Sequence, residues 1–148
     1  MADHRRQKIR DDVVATLTGL ATTGSNVVKA PFYPVRAAGD LPGLAIRSGE
    51  EAVDEEGGIL GDSDRTYQVD VEAALQATQD IDDQLDTILV EVEEALAADR
   101  TRGGLALDTR YVGTGAPEYQ GEQQLPVAFV SITFEIDYRV PEGDPDAT

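Results

Sequence analysis

The chain has no cysteine, no tryptophan and a single histidine, His4. Without cysteine there is no disulfide framework, no thiolate metal site and no cysteine nucleophile. One histidine, at a chain end that ordinarily frays, cannot build the familiar nucleophile–base pairs, because catalysis needs a held geometry. Basic residues are scarce as well: 12 Lys and Arg stand against 29 Asp and Glu, a formal charge of −17. A surface of that sign repels phosphate and disfavours nucleic-acid binding. Solubility alone explains the acidity as well as any functional use does. Long apolar runs are also missing, and no stretch approaches the roughly 20 residues that cross a bilayer as a helix. The basic start (Arg5, Arg6, Lys8, Arg10) is followed by Asp11, Asp12 and the weakly apolar VVATLTGLATTG, which does not fit a secretory leader.

What is present is enough aliphatic surface for a core. Hydrophobic residues make up 41% of the 148, which supports one folded domain over 1–148. The clearest stretch is LPVAFVSITFEIDYRV, Leu125 to Val140. Its even positions (Ala128, Val130, Ile132, Phe134, Ile136, Tyr138, Val140) are apolar, and from Ser131 its odd positions are polar. Strand side chains alternate faces, so this is one long strand with a dry and a wet face. Arg65 to Leu75 alternates in the same way, with Tyr67, Val69, Val71, Ala73 and Leu75 on the dry face, and is expected beside it.

Two helices are expected to cover that dry face. From about Asp3 to Leu20, Ile9, Val13, Leu17 and Leu20 form one stripe, with Asp3 as the N-cap. From Asp80 to about Asp99 the stripe is Ile81, Leu85, Ile88, Leu89, Val92 and Leu96, with Asp80 as cap. Asp82 and Asp83 lie in its first turn, where the helix dipole favours anions, and Arg100 and Arg102 follow its end. Asn26 to Val35 and Leu41 to Arg47 read as short strands, and Leu105 to Val112 as another. Gly113 to Gln124 reads as a turn-rich link. Ser48 to Asp64 carries seven acids (Glu50, Glu51, Asp54, Glu55, Glu56, Asp62, Asp64) without structural period and is expected as a mobile loop. Residues 141–148 are expected as a frayed acidic tail. The order α-β-β-β-α-β-β implies an α+β fold: a largely antiparallel or mixed sheet of four to five strands with two helices packed on it.

Motifs with chemistry are few. Asp80, Asp82, Asp83 and Asp86 lack the glycine and terminal glutamate of a calcium loop, and a helix start explains them without a metal. Asp62, Ser63 and Asp64 could hold a divalent cation with Glu50 or Glu51, but a solvated loop is the simpler account. Neither Gly57-Gly58 nor Gly103-Gly104 has phosphate-cradling spacing. Glu135 and Asp137, i and i+2 on one strand face and about 6.5–7 Å apart, are an example of a carboxylate pair open to acid–base chemistry, at a spacing that plain solvated faces also show constantly. No catalytic set, cofactor site or metal site is expected.

The chain resembles the tail terminator proteins of long-tailed bacteriophages, the minor tail protein U family. The resemblance is carried by the N-terminal amphipathic helix and by LPGLAIRSGEE, RTYQVDVEA, DIDDQLDTILVEVEEAL and PVAFVSITFEIDYRV, in order and spacing from Asp3 to Val140. It implies a non-enzymatic virion protein at the head-proximal end of the tail, assembled in the host cytoplasm. Such a protein forms a homohexameric ring on the tail tube, stops its polymerisation and presents the surface for head attachment. The implied partners are further copies of the chain, the major tail tube protein and a head-completion or neck protein. DNA would pass through without being specifically bound, and no membrane is involved. Asp70, Glu72, Glu135 and Asp137 are the candidates to line the lumen. Arg47, Glu50, Glu51, Asp54, Glu55, Glu56, Arg65 and Arg110 are the candidate assembly surface. Three alternatives stay open: a head–tail joining protein, a small acidic binding module, and an enzyme that works without His or Cys, for instance through Glu135 and Asp137. Copies carrying −17 each crowd like charge together, so added salt is expected to favour association. The opposite trend would indicate complementary charge, for example Arg47, Arg65 or Arg110 meeting the acidic loop.

Overall fold

The long alternating strand is β6 (Val127–Pro141), and it buries Ala128, Val130, Ile132, Phe134, Ile136, Tyr138 and Val140. The structure, a computed structural model, describes residues 3–29, 41–54, 61–77, 79–120 and 126–146. The remaining strands are β1 (Val27–Lys29), β2 (Gly43–Asp54), β3 (Asp62–Gln76), β4 (Asp108–Thr114) and β5 (Glu118–Gln120). The helices are α1 (Arg5–Leu17) and α2 (Ile81–Ala97). The fold is α+β as expected, in the order α-β-β-β-α-β-β with β5 as one strand more.

The sheet runs β1-β2-β3-β6-β4, and β5 pairs with β6 beyond the end of β4. β1 is parallel to β2 and the other pairings are antiparallel, so the sheet is mixed. Its centre is the β3–β6 ladder, which runs from Asp62 opposite Pro141 to Gln76 opposite Val127. That register sets Val69 against Phe134 and Val71 against Ile132, putting the dry residues of both strands on one face. Both helices lie on this face. α1 sits over β1 and β2, α2 over β3, β6 and β4, and the helices touch each other. Ile9, Val13 and Leu17 of α1 join Leu85, Ile88, Val92 and Leu96 of α2 in one core with the sheet.

Several local expectations are corrected. Ser48 to Asp54 is not loop but the outer half of β2, paired with β3 from Asp54 opposite Asp64 to Glu51 opposite Tyr67. A register shift between Ser48 and Glu51 accommodates a bulge there. Residues 62–64 belong to β3, and only 55–60 of the expected loop, with Glu55 and Glu56, lie outside the described residues. This part escaped the sequence reading because its residues are largely exposed. The strand therefore shows no apolar alternation, and its order comes from the neighbouring ladder. The tail from Pro141 to Asp146 is anchored: Arg5 N–H donates to the Pro145 carbonyl at 2.7 Å, and Lys8 Nζ to the Asp146 carbonyl at 3.1 Å. Residues 30–35 of the expected first strand, and 121–124 of the link, also lie outside the described residues.

The caps differ too. His4, not Asp3, caps α1, its Nδ1 accepting the Arg6 N–H at 3.0 Å. Asp80 occupies the N-cap position of α2 with φ 54° but makes no side-chain cap bond. At the other end of α2, Arg102 is wholly buried and its Nη2 donates to the Leu96 carbonyl at 2.5 Å and to the Asp99 carbonyl. Donors there satisfy the carbonyls a helix leaves over at its C-terminus. Burial lowers the Arg102 pKa, partly opposed by Asp12 and Asp99.

Candidate functional site

The helix-free face of the sheet presents Asp70, Glu72, Glu135 and Asp137 on the two adjacent central strands, where alternation placed them. Gln68 stands opposite Glu135, Thr66 opposite Asp137, and Asp70 opposite Thr133. None of the four acids is a bare charge. Thr133 donates to Asp70 at 2.7 Å and Thr66 to Asp137 at 2.8 Å. Arg47 reaches Glu72 at 3.0 Å from β2. Arg110 on β4 contacts Glu135 at 3.1 Å and Asp137 at 3.0 Å through one nitrogen. The hydrogen bond to Asp137 holds the Arg110 guanidinium above its ordinary pKa, partly offset by burial. Farther along, Asp64 pairs with Arg139 at 2.5 Å, and that bond holds the Asp64 carboxyl below its usual range.

The face is thus an acidic surface threaded by cross-strand hydrogen bonds and ion pairs. Cross-strand pairs of this kind fix side chains in place, although each exposed ion pair is worth little. Glu135 and Asp137, the pair considered for acid–base chemistry, share the Arg110 guanidinium. At one end the face is apolar: Ala45, Ala74 and Phe129 are buried there, and Leu41 packs on Ala45.

The expected assembly residues separate into two groups. Glu50 and Asp54 are exposed on the outer half of β2, and Arg47 and Arg110 belong to the acidic face. Glu51 and Arg65 turn instead toward the helices. Tyr138 donates to Glu51, Arg65 Nη1 lies 3.7 Å from Glu51, and the same nitrogen approaches His4 Nε2 at 3.4 Å. Burial and the bond to Glu51 push the Tyr138 phenol well above its ordinary pKa. Beside this group, Ser48 Oγ and Tyr67 OH lie 2.5 Å apart, and Arg10 donates to both, at 2.9 and 3.3 Å. Arg6 lies over the Tyr67 ring, 5.7 Å from its centre.

Sequence reading missed this polar seam between α1 and the β2–β3 hairpin. The available signal was the pair of tyrosines on the dry face, since a buried phenol needs a partner for its hydroxyl. The considered cation site does not assemble. Ser63 accepts from Arg65 at 3.1 Å, Asp64 faces Arg139 and Glu51 faces Tyr138. Among the described residues, no group of three or more His, Cys, Asp or Glu is placed to hold a metal. No helix among them is long and apolar enough to cross a membrane.

No family model and no curated protein matches the chain. Among solved structures, the chain is similar to one from the virion of a native gene transfer agent particle, at 14% identity and a TM-score of 0.36. The similarity covers 90% of this chain and 92% of the other.

Proposed function

We propose that this chain is a virion structural protein of the tailed-phage type, a tail terminator that forms a ring on the tail tube. The observation that carries the proposal is the two-sided build of the subunit. One sheet face is covered by both helices, while the other presents Asp70, Glu72, Glu135 and Asp137 in a fixed array along a 15-residue strand pair. A ring built with that face inward has a negative wall, and a negative wall repels the passing DNA backbone. Arg47, Arg110 and the strand hydroxyls hold the wall rigid without reversing its sign. The resemblance of the sequence to tail terminator proteins supports the same reading.

In this account the ring works by presenting unlike faces. A tube of identical rings grows until a subunit binds its end and offers no matching surface above, which is a heterologous contact that does not propagate. The tail tube protein meets one face and a neck protein the other. The role is structural and calls for no cofactor or nucleotide.

Disrupting the gene tests this. The expected particles are filled heads without tails, beside free tail tubes of excessive length. Normal tails on infectious particles would remove the proposal. Tails of normal length that fail to join heads would move the protein to the head–tail joint.

A further inference from the structure

Among the described residues three arginines have no carboxylate partner: Arg5, which is buried and donates to the Leu105 carbonyl at 3.0 Å, and the partly exposed Arg6 and Arg10. Among the described residues, Arg47, Arg65, Arg102, Arg110 and Arg139 each have an acidic partner within 4 Å, as does Arg100 with Asp108. Arg6 and Arg10, one helical turn apart on α1, form no such pair. Arg6 lies over Tyr67, and Arg10 bonds only the neutral hydroxyls of Ser48 and Tyr67. Both side chains remain partly exposed. The partners first considered for a complementary interface, Arg47, Arg65 and Arg110, are therefore engaged within their own chain.

Exposed acids without an ion pair stand on several elements among the described residues, Glu50 of β2 and Glu94 of α2 among them, and one such group lies at the other side of the subunit from Arg6 and Arg10. Asp83 and Asp86, one turn apart at the start of α2, are exposed and their carboxylates have no cationic partner among the described residues. Their neighbour Asp82 accepts from Tyr119 of β5, which fixes this end of α2 beside the β4–β5 edge of the sheet. Arg6 and Arg10 lie on the helix over β1 and β2. These two groups of opposite charge thus sit toward opposite ends of the strand order, as a head-to-tail contact requires.

We propose that copies of this chain associate head to tail, with Arg6 and Arg10 of one copy receiving Asp83 and Asp86 of the next. The inference rests on the ring reading and names the surfaces that meet. Guanidinium–carboxylate pairs supply geometry as well as attraction, and they set the register between neighbours more than the total affinity. Association then weakens as salt rises, the reverse of the trend expected from uniform repulsion between chains of −17.

The test uses the full chain in three forms, followed by sedimentation velocity at low and high salt. The Asp83→Lys/Asp86→Lys variant changes exposed groups without touching the α1 seam, and it should lose association at least tenfold. The Arg6→Glu/Arg10→Glu variant should do the same, with circular dichroism to check that α1 still forms. Mixed in equal amounts, the two variants should recover the assembly, because each reversed surface then meets its complement around an alternating ring. Wild-type association by the α2 variant, or no recovery in a mixture of folded variants, overturns the proposal while leaving a wild-type ring in place. A wild-type chain that stays monomeric at all concentrations, with or without tail tubes, removes both this proposal and the ring reading.

Discussion

Arg110 on β4 grips Asp137 on β6 with two prongs, Nε to Oδ2 at 3.1 Å and Nη2 to Oδ1 at 3.0 Å. The same guanidinium holds Glu135, so one cation fixes two of the four acids on the open sheet face. The core beneath this face has a different role, and substitutions should separate the two. Leu85→Ala and Ile132→Ala each empty a fully packed site and should cost about 2–5 kcal/mol. Glu135→Gln on the open face should cost less than about 1 kcal/mol. Urea unfolding of the three variants checks the order, and a larger loss for Glu135→Gln would contradict the face assignment.

Arg102 should matter far more than its neighbour Arg100. Arg102→Met keeps a packed stem but leaves the Leu96 and Asp99 carbonyls without their donor. The expected loss is about 1–3 kcal/mol, the cost of stranding buried acceptors. It falls short of a fully buried pair because Asp12, its acidic partner, keeps 30% exposure. Arg100→Met removes only an exposed pair with Asp108 and should scarcely move the unfolding midpoint. Equal shifts in thermal melts would refute the distinction.

The acidic hairpin should contribute to the stability of the fold. Replacing Ser48–Asp64 by a short Gly-Ser turn removes the Glu51–Tyr138 bond, the Arg65 support and the outer β2–β3 ladder. The Arg65 support goes because Glu51, its acidic partner, lies within the excised segment. The thermal midpoint should fall by more than about 5 °C, on the scale of 2–4 °C for each kcal/mol lost. A midpoint within a degree or two of the parent would restore the dispensable loop that the sequence suggested.

Mild acid should loosen α1. Burial lowers the His4 pKa; Glu51 opposes this, Arg6 and Arg65 add to it, and Asp146 opposes it. A base with a depressed folded pKa takes up its proton more readily in the unfolded chain. Its contribution is therefore complete above the unfolded value, about 6.5, and is lost as pH falls through the lower folded value. The proton would also occupy Nδ1, the atom that caps Arg6 N–H. Melts from pH 7.5 to 5 should show a decline that His4→Asn, which can cap but does not titrate, largely removes. An equal decline in His4→Asn would assign it to other groups.

The parts of the fold legible in the sequence were those that meet the core. Strands β3 and β6 and helix α2 show their buried stripes because one side of each faces apolar neighbours and the other does not. The outer half of β2 lacks that contrast, and Glu50, Ala52 and Asp54 give no sign of the ladder that orders them. β5 is three exposed residues paired to β6 and carries no pattern of its own. The open-face acids were legible one by one from alternation, but their neutral and cationic partners were not. Pairing Arg47 with Glu72 and Arg110 with Asp137 needs the cross-strand register, which no local pattern specifies. His4 was read as frayed because a terminal histidine is an uncommon cap, and the bond that ties Arg5 to Pro145 lies 140 residues away.

The most direct measurement of the central claim adds the purified chain to polymerising tail tube protein and follows tube length by electron microscopy. The account predicts that sub-stoichiometric protein stops elongation with no nucleotide or cofactor, leaving one ring of density at the end of each shortened tube. Tubes that keep growing to the same length, with no protein bound at their ends, would contradict it.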